Sequence, residues 1–337
     1  CDADVTFRVY NIFNKKLSLD TTQLELFKLL IRVSNTFSDI EHNGIKINTE
    51  YLKKLEFELD LESNALYEQF VSYASKEIVE IEEELSFEAI GKSGKVLKNK
   101  PTYFNLDSPT DVAKLFFEKL KIPIDSDYIS KKTEKPSVGR AVLEKLQHEY
   151  PIAKTLLEYR KVAKQKSGFV DAYPKFIDKN DRIHSTFSLI KYYDDDADKS
   201  SGAATGRISS SNPNLQQIPS RDETKRIKKL FIPDYPSHYL GDLDFSGIEL
   251  RMAAIYSKDP EMIKFFNSGK GDFHRYVASK IYKKPEADVT KLERSKAKST
   301  TFGILYQAGP NKIAEQAGCS LEEAQEFIVD YFKLFPY

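Results

Sequence analysis

The chain has 337 residues, 40% of them hydrophobic. It is too long for one ordinary core and too apolar for global disorder, so two or three subdomains are expected. Its 51 basic and 51 acidic residues cancel, which argues against a simple nucleic-acid coat and makes the distribution of charge more informative than its sum. Cys1 and Cys319 are too few for a disulfide framework or a zinc cluster and fit a reducing compartment.

In chain order, residues 2–13 ("DADVTFRVYNIF") read as a short amphipathic helix with no evident partner. Apolar residues at helical spacing follow from Thr22, and Asn43-Gly44 marks a turn. Residues 49–75 predict a long helix. Acids crowd 77–88 ("EIVEIEEELSFE"), and the polar stretch "GKSGKVLKNKP" (91–101) breaks the pattern. Its Gly-Lys-Ser at 91–93 lacks the upstream glycine of a phosphate loop, where Ser86 stands instead, so that reading is rejected. Further helices are expected over 108–120, opened by Ser-Pro, and over 139–169.

The composition changes at Arg182. "RIHSTFSLI" alternates like a strand. "KYYDDDADKSSGAA" reads as a loop whose aspartates (Asp194, Asp195, Asp196, Asp198) lack the glycine turn and distal Glu of a calcium site. A strand is expected over 231–246, then helices over 247–256, 260–267, 273–281, 288–306 and 321–335. Bases crowd 154–166, 221–229 and 291–298. Each run alone reads as a solvated helix face, but the three flank the chemistry-bearing motifs. No apolar run reaches the roughly 18 residues that span a bilayer, and no signal peptide is evident. The expected protein is soluble and intracellular, with no membrane partner. The first residue is Cys1 and not Met, so the beginning is expected to be a cut or a processing site.

Two patterns carry chemistry. In "ERSKAKSTTFGILYQAG", Arg294, Lys298, Phe302 and Tyr306 recur every four residues and share one helix face. Two cations followed by two rings suit a nucleotide, with the triphosphate at one end and the base at the other; an ordinary amphipathic helix is the alternative. In "GDLDFSGIELRMAAIYS", Asp242, Asp244, Glu249 and Arg251 sit within an apolar body. Asp242 reads as a solvent-side bystander or a local cap, and Arg251 as half of a supporting ion pair.

The blocks "ATGRISSSNPNLQQIPS", "DFSGIELR", "GDFHRYVA" and the striped helix, in this order, resemble the A-family DNA polymerases, the class of the bacterial repair polymerase and several phage replicases. The resemblance covers about 22–337. It implies an α+β, mostly helical right hand: a first palm helix and connection over 21–48, thumb over 49–180, palm over 181–256 and fingers over 257–337. Residues 1–20 would be the tail of a 3′–5′ exonuclease domain, with Asp2 matching a metal-binding carboxylate. The implied activity is template-directed addition of deoxynucleoside triphosphates to a primer.

The same resemblance implies the site. Asp244 would hold two magnesium ions at the end of a palm strand, with the Phe245 carbonyl as a further ligand. Glu249 would exclude a 2′-hydroxyl. His274, Arg294 and Lys298 would contact the triphosphate, and Lys298 would protonate the leaving pyrophosphate. Phe302 would stack near base and sugar, and Tyr306 at the template position. Arg207, Asn214, Gln216 and Gln217 would lie along the minor groove, where every base pair offers an acceptor. Arg160 and Lys164 would hold the DNA backbone. The expected partners are primer-template DNA and deoxynucleoside triphosphates. The protein is expected to act as a monomer inside a bacterial or phage-infected cell, or an organelle.

Three positions depart from the pattern: Gly247, Thr301 and Gln307 stand where Gln, Asn and Gly are frequent. The chain stops before the third polymerase motif, which would supply the second catalytic aspartate. A catalytically incomplete DNA-binding fragment is therefore one alternative. A single-subunit RNA polymerase is another, opposed by Glu249 and the "NPNLQQIP" block.

Overall fold

The computed structural model describes residues 2–89, 102–130, 133–194, 199–219, 225–269 and 271–336. The Gly-Lys-Ser of 91–93, Asp195, Asp196, Asp198 and the start of the 221–229 basic run lie outside these. The chain divides into two compact units, Cys1–Leu240 and Gly241–Tyr337, and the division falls inside the stretch expected as palm.

The first unit opens with α1 (Asp2–Leu17) and α2 (Thr21–Asn43), neither of which buries a residue. Asp20 caps α2 by accepting from the amides of Thr22 and Gln23. Gly44 ends it with φ +59°, and a Cβ there would lie 2.6 Å from the Ile183 carbonyl oxygen. Only glycine allows that turn and close approach together. The chain passes directly into β1 (Ile45–Lys46), which pairs antiparallel with β2 (Arg182–Ile183).

Helix α3 (Thr49–Tyr73) is capped by Asn48 and buries Leu52, Leu55 and Leu59, the spacing of one helix face. That face meets α7 (Pro151–Gln165). Around them a core forms from Ile47, Val162, Tyr173, Ile183 and Leu230. A second core gathers Phe70, Leu115, Phe116, Leu143 and Leu156. The expected helix over 108–120 is α5 (Pro109–Ala113) widening into a π turn, Lys114–Lys119. The wider turn lets Leu115, Phe116 and Phe117 all be buried in succession.

Four expectations are corrected. The single helix over 139–169 is two, α6 (Arg140–Leu146) and α7, because Pro151 cannot continue a helix and instead opens the next one. The expected loop after Lys191 contains a hairpin, β4 (Tyr192–Asp194) with β5 (Lys199–Ser201). The strand expected over 231–246 does not form. Apart from one bridge of Phe231 to Ile47, that stretch has no ladder partner among the described residues. The strand "RIHSTFSLI" is instead two short ones, β2 and β3 (Thr186–Ser188), the latter paired with β6 (Ser209–Ser211). Beyond these four, the acidic run, to which no element was assigned, forms α4 (Ser75–Glu88), whose Glu80 and Glu84 are neutralised by Lys119 and Lys114.

The second unit is helical: α8 (Ile248–Ser257), α9 (Pro260–Asn267), α10 (Phe273–Ile281), α11 (Lys291–Leu305), α12 (Pro310–Ala317) and α13 (Leu321–Leu334). Its core is aromatic, with Phe273 stacked on Phe266 and Phe335, and Val277, Ala297, Phe327 and Tyr331 around them. No helix among the described residues is long and apolar enough to cross a membrane.

Gly303 sets the approach of α11 to α12, since a Cβ there would lie 2.6 Å from Cγ1 of the fully buried Ile313. Gly→Ala inside a helix ordinarily stabilises by roughly 0.5–1 kcal/mol. Here overpacking dominates, and Gly303→Ala is expected to destabilise by about 1–3 kcal/mol. Urea unfolding of the two proteins decides the sign.

Candidate functional site

Helix α11 carries the predicted stripe. It begins with a capping box in which Thr290 and Glu293 satisfy one another's backbone groups, and Lys284 donates to both Glu293 oxygens at 2.6 Å. The Lys284 hydrogen bond, with those from Thr290, pulls the Glu293 carboxyl down to about 2. The helix start is thereby pinned, which fixes where the next residue, Arg294, points.

Arg294 donates through Nε and Nη2 to Oδ2 of Asp272, both at 2.6 Å. Asp272 also caps α10, accepting from the Arg275 amide through Oδ1. Partial burial works against the Asp272 carboxylate, but the Arg294 and Arg275 bonds outweigh it and hold its pKa below the ordinary value. One turn on, Lys298 is exposed and makes no ion pair among the described residues. Phe302 is half-buried, its ring 5.4 Å from that of His274. Tyr306 closes the helix, and its hydroxyl donates to Glu249 in the first turn of α8 at 2.5 Å.

His274 is buried at 9% exposure, and its Nδ1 has no hydrogen-bond partner. Burial depresses its pKa to about 4, with Lys298 and Arg294 adding to the effect against the opposing charge of Asp272. At neutral pH the imidazole is therefore uncharged. It can offer a phosphate a hydrogen bond but not a positive charge.

The structure thus brings Arg294, Lys298, Phe302 and His274 together, and joins Tyr306 to Glu249. Asp244 and Phe245 do not join them by any direct contact. They lie in an extended, exposed segment just before α8, Phe245 with 80% of its surface open. Among the described residues Arg251 forms no ion pair, contrary to expectation. Its Nε donates to the Ser246 carbonyl at 2.9 Å and its guanidinium lies 4.9 Å over the Phe266 ring. It braces the turn that follows Asp244 through backbone and ring, without a carboxylate.

A magnesium pair would need carboxylates on both sides of two ions about 4 Å apart. Among the described residues no three His, Cys, Asp or Glu side chains gather to hold a metal ion. Asp244 is one carboxylate in open solvent, and one carboxylate with a neighbouring carbonyl does not fit two ions. Asp2 stands exposed in the first turn of α1, likewise outside any such group.

In the first unit, the block after β5 forms a compact loop. Gln216 spends its side chain internally, donating to the Ile208 carbonyl and accepting from the Ser210 amide. Asn214 caps the short 3₁₀ turn Leu215–Gln217. Arg207 and Gln217 are exposed. So Asn214 and Gln216 shape the loop, while Arg207 and Gln217 face outward. Arg160 is half-buried and donates to the Val138 carbonyl at 2.5 Å, with Lys164 exposed one turn on. Both line a polar cavity of about 420 Å³ with Ser63, Tyr159, Lys166 and Ser167. Burial draws the Arg160 pKa down, opposed by Asp107.

Sequence reasoning passed over Asp272. Its signal as a helix cap was present in "GDFHR". Its pairing with a residue 22 positions later was not, because local spacing carries no information about an inter-helix contact.

This site, on a mostly helical two-unit fold, belongs to a defined class. Residues 68–337 match DNA polymerase family A, and the chain belongs to that family. The chain is 34% identical over 337 residues to DNA polymerase I of Borreliella burgdorferi, covering 99% of this chain and 32% of that protein. It is 32% identical over 306 residues to the thermostable DNA polymerase I of Thermus aquaticus, covering 90% of this chain and 32% of that protein. It thus spans about a third of the length of these relatives. Its fold resembles the POL domain of Pol1 from M. smegmatis, solved in complex with DNA primer-template and dNTP. That likeness has a TM-score of 0.70 at 28% identity, over 91% of this chain and 47% of that one.

The depressed His274 pKa has a signed consequence. Below about 6.5 the unfolded chain binds a proton that the folded one refuses until about 4. This contribution to stability is therefore whole above about pH 6.5 and is lost as pH falls towards 4, amounting to no more than roughly 3 kcal/mol. NMR titration of the five histidines is expected to show His274 still neutral at pH 5.5. A midpoint near 6.5 would mean the ring is solvated and that the packing against Phe302 is wrong.

Proposed function

We propose that this chain carries the primer- and nucleotide-handling part of a template-directed DNA polymerase, acting as a monomer inside the cell. The observation that supports it most is one face of α11: an anchored cation, a free cation, a ring on a neutral His, and a ring tied to Glu249. An ordinary amphipathic helix has no use for that sequence of groups. A deoxynucleoside triphosphate matches it, with phosphates on Arg294 and Lys298 and the base towards Phe302 and Tyr306.

Each residue then has a task its environment suits. Lys298, exposed and without an ion pair among the described residues, supplies charge to the phosphates and a proton to the leaving pyrophosphate. His274 donates a hydrogen bond. Glu249 lies beside the sugar as a barrier to a 2′-hydroxyl, held there by Tyr306. In the first unit, Arg207 and Gln217 offer donors to minor-groove acceptors, which check base-pair geometry without reading sequence. Arg160 and Lys164 grip the backbone. Thumb, palm and fingers are assigned to 49–180, 181–256 and 257–337. The family implies a divalent metal, but the carboxylates described here do not complete a two-ion centre, and no step is assigned to one.

Sugar selection tests the placement of Glu249. In a polymerase carrying this chain, Glu249→Ala is expected to admit ribonucleotides and to lower deoxynucleotide turnover. Single-nucleotide insertion kinetics with both sugars measure it, and an unchanged ratio of the two specificities removes Glu249 from the role.

Residues 1–337 alone are expected not to extend a primer, since among the described residues no carboxylate group gathers with Asp244 to hold a metal. They should still bind DNA weakly and independently of sequence, with affinity falling steeply as salt rises. Magnesium-dependent extension by the purified chain would show that a carboxylate within it completes the centre.

A further inference from the structure

The Asp272 carboxylate lies outside the tasks assigned above, yet every hydrogen bond it makes serves α10 or Arg294. Oδ1 caps α10 through the Arg275 amide, and Oδ2 receives both Nε and Nη2 of Arg294 at 2.6 Å. Asp272 engages Nε and Nη2 and leaves Nη1 unbound by it. Arg294 lies on the same helix face as Lys298. Arg side chains carry large rotamer freedom, and Glu286 and Asp288 stand close in sequence as rival partners for an unpinned Arg294.

Arg294 also lies one turn, about 5.4 Å, farther than Lys298 from the rings of Phe302 and Tyr306. If the base sits at the ring end, Arg294 meets the outermost phosphate. We propose that Asp272 is a positioning residue that aims Arg294 at the terminal phosphate, and so sets the preference for nucleoside triphosphates over diphosphates. This rests on the nucleotide reading of α11, and it concerns a residue that itself touches no substrate.

Two effects of removing the carboxylate must be separated. Loss of a negative charge beside Arg294 strengthens binding of any anion, and more so of the more highly charged triphosphate, so by itself it can only raise the triphosphate preference. Loss of aim weakens only the contact to the terminal phosphate. A fall in the affinity ratio therefore reports lost positioning. Freeing one rotamer-rich side chain is worth about a fivefold change in that ratio.

The test uses the 337-residue chain, a deoxynucleoside triphosphate and its diphosphate, and calorimetric titration at fixed ionic strength. Asp272→Asn keeps a side-chain oxygen at the helix cap, where Asn is as good as Asp, so its thermal midpoint should stay close to that of the parent. Its triphosphate preference should fall about fivefold, and the Arg294 Nε–H resonance should lose its distinct shift. In an Arg294→Ala background, where the preference is already lost, Asp272→Asn should change nothing further. An unchanged or raised ratio in Asp272→Asn, or the same fall in the Arg294→Ala background, overturns the role of Asp272. Lys298→Ala separates this from the reading beneath it. If the parent chain shows no triphosphate preference and Lys298→Ala binds as the parent does, the nucleotide reading of α11 itself fails, and the positioning role with it.

Discussion

Helix α11 is clamped at both ends, and the second unit's site depends on that clamp. At its start the capping box and Lys284 fix the first turn. At its end Gly303 lets Ile313 of α12 approach where any side chain would collide. The chain must then leave the helix at once, and it does so through Gln307 with φ +56°. That left-handed geometry costs a non-glycine residue roughly 1–2 kcal/mol. It stands where glycine is frequent in the family, directly beside Tyr306. Strain is held here next to the ring proposed to meet a base. The surrounding packing sustains it because α12 cannot move away from Gly303.

Several of the chain's cations are engaged in ion pairs. Lys114 and Lys119 are taken by Glu80 and Glu84, Lys166 by Asp60 and Asp171, Arg226 by Glu62, and Lys296 by Glu323. Lys164 and Lys298 have no such partner among the described residues, and both lie on the faces assigned to phosphates. Exposed pairs contribute little to stability. Here their consequence is local: the paired cations are already engaged by carboxylates, whereas among the described residues Lys164 and Lys298 are engaged by none.

Three helices of the second unit were legible because their starts are written in side chains, whereas α12 (Pro310–Ala317), which has no side-chain cap, was not expected. Asp259 before Pro260, Asp272 before Phe273 and Ser320 before Leu321 each accept from the first turn, and α9 and α10 begin where the sequence placed them. The stripe of α11 was legible for the same reason, since period four is a local property. What failed was non-local. The strand over 231–246 has the apolar pattern of a strand but no ladder partner in the described residues, and pairing defines a strand. Arg251 was expected to pair with a carboxylate, because sequence shows its charge and not the Phe266 ring beneath it. Asp272 was invisible as a partner of Arg294 because it lies on another helix.

The segment over 239–245 and the proposed metal role of Asp244 bear on one another. Tyr239, Leu243 and Phe245 expose 94%, 97% and 80% of their surface. Burying each such side chain is worth roughly 1.5–3 kcal/mol. Side chains alternate along a strand, so Leu243 and Phe245 project to one face and Asp242 and Asp244 to the other. A neighbour that pairs with 239–245 would cover the apolar face and, by the same register, set its own side chains beside Asp244 on the opposite face. One pairing event would therefore both relieve the exposed apolar surface and supply the place where a second carboxylate has to stand.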